Sequence, residues 1–158
     1  MTAPSPTPRG VPSGYHLENS YQCLCTFAAN PTVSFWEKTL QPIGIDNGDP
    51  IDETTQHNES LRTKAPRALN DLTNGKIKAA YDPVMYTAAM ALCGVKTVVT
   101  WHLPDGSSLC HYGYLKSFVP MELPGDGTQP EADIEVVCTN RDPNGNEELP
   151  VLTEVAGT

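Results

Sequence analysis

The sequence predicts a mainly β fold, a β-sandwich or rolled antiparallel sheet with one flanking α-helix. Three observations predict it. Apolar and polar residues alternate with a period of two in several short runs. Proline and glycine, 15 and 12 of 158 residues, punctuate those runs, which suits a loop-rich β protein better than a helical bundle. Only the stretch from Asp82 to Gly94 carries both a helix start and a helix stop. A chain of this length can bury a real core as one domain, here residues 21–158, preceded by an extended Pro-rich arm over residues 1–20.

The arm contains Pro4, Pro6, Pro8 and Pro12 and almost nothing to bury, so only contact with a neighbouring subunit would order it. Tyr21, Cys23, Cys25 and Phe27 share one face of a first strand, and Ser34 to Leu40 form a second in which Phe35 and Trp36 point to opposite faces. From Gln41 to Pro66 there is little core pattern but three prolines and repeated Asp, Thr and Asn. A segment of that length inside a compact domain is expected to touch something else.

Lys76 to Tyr81 alternates again. A helix follows, with Asp82 as N-cap, Pro83 at the first position and Gly94 as the stop; Tyr81 and Tyr86 have staple spacing, and Val84, Met85, Ala88, Ala89 and Leu92 form the packing side. Val95, Thr97, Val99, Trp101 and Leu103 face one way, and Asp105-Gly106 turns the chain into a strand expected to stack Cys110, Tyr112, Tyr114 and Phe118 on its inner side. Ala132, Ile134, Val136 and Cys138 face inward opposite Glu131, Asp133 and Glu135. Asn144-Gly145 marks a turn, and Pro150 to Val155 a short last strand.

A formal charge of −9 argues against binding nucleic acid by neutralising phosphates. No apolar run is long enough to span a membrane and no signal peptide is recognisable, so the expected place of synthesis is the cytosol, with no membrane anchor and the five cysteines as buried thiols. Cys23-x-Cys25 with Cys110-His111 and Cys138 lacks the spacing of a zinc site, and Asp46 to Glu53 lacks the ligand order of a calcium loop. His57 beside Asp52 and Glu53 has no nucleophile or oxyanion turn to serve. No catalytic role, metal or cofactor is therefore expected. Trp101, Tyr112 and Tyr114 leave one alternative open: a carbohydrate-binding β-sandwich with three aromatics exposed on one flat face.

FWEKTLQPIGIDNGDPIDETTQHNESLRTKAPRAL, LTNGKIKAAYDPVMY, VTWHLPDGSSLCHYGYLKSF and DPNGNEELPVLTEVAGT, in that order over about residues 34–158, give the chain its likeness to a known family. It resembles the major tail tube proteins of long-tailed phages with flexible, non-contractile tails. The resemblance implies a structural virion protein, assembled in the host cytoplasm, whose hexameric rings stack into the tail tube, the conduit for genome delivery. It implies as partners further copies of the chain, the tape measure, tail terminator and distal tail proteins, and passing double-stranded DNA bound without sequence specificity. The loop 41–66 would reach an adjacent ring, with contacts from Asp52, Thr54, His57, Arg62 and Arg67. Glu131, Asp133 and Glu135 are candidate lumen-facing acids; sixfold symmetry would bring eighteen carboxylates, 3 × 6, around the channel. Two other readings of these features stand beside it: cross-strand pairing of the acids with Lys76 and Lys78, and the ring-forming tube of a bacterial secretion system.

Overall fold

A computed structural model describes residues 23–104 and 106–154. The arm expected over residues 1–20, Tyr21 and Asp105 lie outside the described residues. Seven strands form one antiparallel sheet: β1 (Leu24–Phe27), β2 (Trp36–Gln41), β7 (Gly75–Ala80), β8 (Thr97–His102), β9 (Ser108–Pro120), β10 (Glu131–Cys138) and β11 (Val151–Thr153). Their order is β1-β8-β9-β10-β7-β2, with β11 added to the start of β9. The mainly β fold with one helix is therefore the fold observed.

The sheet rolls until its two edge strands approach. Phe27 at the end of β1 meets Phe35 edge-on, Phe35 stacks on Phe118 of β9, and the Cys25 backbone N–H on β1 donates to Glu37 Oε1 on β2 at 3.3 Å. A side chain thus bridges a seam where backbone pairing would otherwise leave a polar group unmatched. Burial pushes the Glu37 carboxyl up from its ordinary value, while hydrogen bonds from backbone N–H groups pull it back.

Helix α1 (Pro83–Leu92) closes one end of the roll. Asp82 accepts from Val84 N–H at 3.0 Å, Pro83 occupies the first turn, and Gly94 adopts φ +78°, where only glycine is unstrained. Met85, Ala88, Ala89 and Leu92 turn inward, whereas Val84, expected to pack, is 73% exposed. The staple operates through a third ring, since Tyr81 and Tyr86 both lie against Phe118.

Trp101 is the centre of the core, fully buried, and its Nε1–H donates to His111 Nε2 at 2.9 Å. The indole fills the space opposite β7 so completely that a Cβ on Gly75 would collide with it. Here the expectation for β9 fails: His111, Gly113 and Leu115 face inward, while Cys110, Tyr112 and Tyr114 lie half-buried on the outer face. Gly113 has no room for a side chain because the Val137 carbonyl passes beside it. After Leu115 the pairing with β10 slips at Lys116, a bulge that reverses the alternation and brings Phe118 inward as expected.

Candidate assembly surfaces

The segment expected as a loop is a two-stranded arm. β3 (Ile45–Asp46) pairs with β6 (Asp71–Leu72), and β4 (Ile51–Asp52) with β5 (Lys64–Ala65), so the chain leaves β2, runs outward, turns over residues 55–62 and returns to β7. Gly44 and Thr73 exchange hydrogen bonds at the base, through Thr73 N–H to the Gly44 carbonyl and Gly44 N–H to Thr73 Oγ1. Glu53 N–H donates to the Thr63 carbonyl near the tip. The outgoing chain turns at Gly48 (φ +78°), so roughly 3.3 Å per residue gives an upper limit of about 30 Å for this span.

Period-two alternation is weak here because the arm touches the core only at its base, through Leu72; side-chain hydrogen bonds hold the rest. Asn47 bridges the strands by donating to the Arg67 carbonyl and accepting from Arg67 N–H, while Arg67 Nε–H donates to the Asp49 carbonyl at 2.7 Å. Asp52 accepts from Thr54 N–H and lies 3.5 Å from Arg62; the Thr54 hydroxyl first, then its N–H, hold the carboxyl below the usual range. Thr54 Oγ1 accepts from Thr63 N–H. His57 sits at the exposed tip with its N–H on Thr55 Oγ1.

The five residues expected to make contacts are thus brought to one arm. Four of them, Asp52, Thr54, Arg62 and Arg67, spend polar groups on holding its shape. Besides charged groups such as Glu53, Glu59 and Lys64, the arm exposes aliphatics: Ile45, Ile51, Leu61 and Leu69 are 44–83% exposed. Sequence reasoning missed them because isolated aliphatics in a polar stretch carry no periodic signal.

The outer face of the sheet divides into two unlike halves. Across β2, β7, β10 and the end of β9, Asp133 stands opposite Lys78 and Glu135 opposite Lys76, the cross-strand alternative to a bare acidic stripe. Glu131 pairs with Lys38 at 3.0 Å and Glu135 with Lys116 at 3.3 Å. Glu135 also accepts from Asn74, and that bond, helped by Lys116, keeps its carboxyl below the usual range. With Lys38, Lys76, Lys78 and Lys116 against Glu131, Asp133 and Glu135, this half sums to 4 − 3 = +1. Across β1, β8, the start of β9 and β11, the outward residues are Leu24, Thr26, Val98, Thr100, His102, Ser108, Cys110, Tyr112, Tyr114, Val151 and Thr153, with no Lys, Arg, Asp or Glu among them. Lys96 marks the rim.

Neither half offers a catalytic arrangement. Among the described residues no group of three or more His, Cys, Asp or Glu gathers as a metal site. Asp46 and Asp52 turn their carboxylates onto the backbone N–H two residues further along the chain, of Gly48 and Thr54. Cys25 and Cys138 are core thiols, while Cys93 is exposed. The flat platform of three aromatics is not formed, since Trp101 is buried on the face opposite Tyr112 and Tyr114. Among the described residues no helix is long and apolar enough to cross a membrane.

No protein-family model and no curated protein sequence matches the chain. Solved structures do. A chain of the extracellular contractile injection system PVC sheath/tube terminator in its extended state superposes with a TM-score of 0.61 at 9% identity, covering 89% of this chain and 99% of that one. A chain of the six-fold symmetrised anti-feeding prophage baseplate gives 0.58 at 6% identity, covering 89% and 97%. A type six secretion system protein gives 0.48 at 9% identity, over 82% and 90%. Nearly the whole length of the first two chains is matched, so this chain has a fold found among components of contractile injection particles.

Proposed function

We propose that the chain is a non-catalytic building block of a phage-like tail, self-assembling into hexameric rings that stack into a hollow tube for genome delivery. The observation that carries this reading is the arm: a self-braced hairpin, at most about 30 Å long, on a body that matches two injection-particle components over almost their full length. A projection with exposed aliphatics and little core of its own is suited to being covered by another subunit. The tape measure, terminator and distal tail proteins would be its further partners, and the particle's tail its final location. The charge ladder would line the channel. Because lysines there offset Glu131, Asp133 and Glu135, the face would present passing DNA with a balanced surface rather than the acidic wall expected from those three residues alone.

A second reading has its own observation. The matched structures belong to contractile injection systems rather than flexible tails, which favours a tube or tube-end component of such a machine. Both readings require stacking through the arm. Replacing Ile51 to Leu61 by a short Gly/Ser linker should leave folded subunits that no longer stack, as seen by negative-stain electron microscopy. Full-length tubes from that variant would remove the arm from the stacking contact.

A further inference from the structure

The uncharged half of the outer face is an unexplained feature of a chain carrying −9. Its apolar members are well exposed: Leu24 40%, Val98 41% and Val151 51%, with Tyr112 half-buried between strands. A second uncharged surface lies on α1. From Pro83 to Leu92 there is no ionisable acid or base other than Tyr86, and the outward side exposes Val84 at 73% and Met90 at 62%.

Resting on the self-assembly reading, we propose that these two surfaces are complementary halves of one contact between copies, the β1-β8-β9-β11 face of one subunit against the outward face of α1 on the next. The argument for a second copy is electrostatic. Two chains of −9 repel over most of their surfaces, and close approach avoids that repulsion only where neither surface carries charge. Charge depletion with exposed aliphatic and tyrosine side chains is also the composition of an interface centre. A contact between two different patches is head-to-tail, and such contacts propagate into rings when the rotation closes.

The test is a mixing experiment on the full chain, read by sedimentation velocity over a concentration series, with circular dichroism and melting curves confirming the fold. Met90→Glu spoils the helix surface and Val98→Glu the sheet surface; Val151→Glu is the alternative if Val98→Glu misfolds. Each variant alone should need about 100-fold more protein to associate, because an unpaired charge is placed in the contact. Mixed together in chains that also carry the Gly/Ser linker in place of Ile51 to Leu61, so that the arm cannot stack, they should form dimers and stop there, since each pair keeps one intact contact. Variants that associate like the parent chain, or a mixture that stays monomeric while the parent assembles, would overturn this contact and leave the tube reading standing. A parent chain that stays monomeric throughout would overturn both and give these surfaces to a different protein.

Discussion

The two halves of the outer sheet face share strand β9, the same core and the same antiparallel pairing, yet one carries a ladder of lysines and carboxylates and the other carries no Lys, Arg, Asp or Glu. The fold cannot require this difference, because inward residues alone satisfy the core. On the proposed assembly it records what each half meets outside the subunit. The charged half can face water or moving cargo at little cost, whereas the uncharged half is better covered.

Changes in the shared core should disturb both halves together. Trp101→Ala removes the fully buried indole between the β7 and β8 sides and should cost about 4 kcal/mol while leaving a single urea transition. Two separate transitions would show that the halves are independent units, and the comparison between them would lose its meaning.

Acid should weaken the subunit through His111, beneath the uncharged half. Burial holds its imidazole down to about 4, against 6.5 ordinarily, and its Nδ1 is buried without a hydrogen-bond partner. As pH falls the unfolded chain takes up the proton first. The stability contributed by neutral His111 is therefore complete above pH 6.5 and is lost between there and about 4, amounting to roughly 3 kcal/mol. Lowered carboxyls such as Glu135 add losses of the same sign at lower pH, and Glu37, whose carboxyl is raised, opposes them. Comparing His111→Gln with the parent in urea at pH 7 and pH 4.5 isolates the imidazole: the variant should lose less on acidification, and equal losses would exclude His111.

Much of this architecture is legible in the sequence. Ala132 to Cys138 and Thr97 to Trp101 alternate cleanly because each has one buried face, and Asp82-Pro83 with Gly94 brackets the helix because capping is local chemistry. β9 misled for two physical reasons. Its inner positions had room only for Gly113, crowded by the Val137 carbonyl, and for His111, which takes the Trp101 hydrogen bond, so the large aromatics went outside, and the bulge at Lys116 then shifted the phase. The arm's residues were located, but its hairpin was not, because side-chain hydrogen bonds between residues 20 positions apart, such as Asn47 and Arg67, leave no periodic trace.

Smaller effects sharpen the comparison. Asp82→Ala should lower stability by about 1 kcal/mol through the lost N-cap, visible as a lower melting temperature of the monomer. An unchanged melt would place the stabilising cap elsewhere. Glu131→Gln, which breaks the partly exposed pair with Lys38, should change stability by only about 0.5 kcal/mol. A loss several times larger in urea would mean that the ladder holds the fold together and is not simply a surface left for the assembly.

The most direct test of the central claim is a cryo-electron microscopy reconstruction of the particle formed by the full chain. It should show six copies per ring, the arm from residues 44–73 seated on an adjacent ring, Lys76, Lys78, Asp133 and Glu135 facing the channel, and Val98 and Tyr112 covered by a neighbouring copy. A particle in which the arm stands free in solvent and the charge ladder is buried between copies would contradict the account.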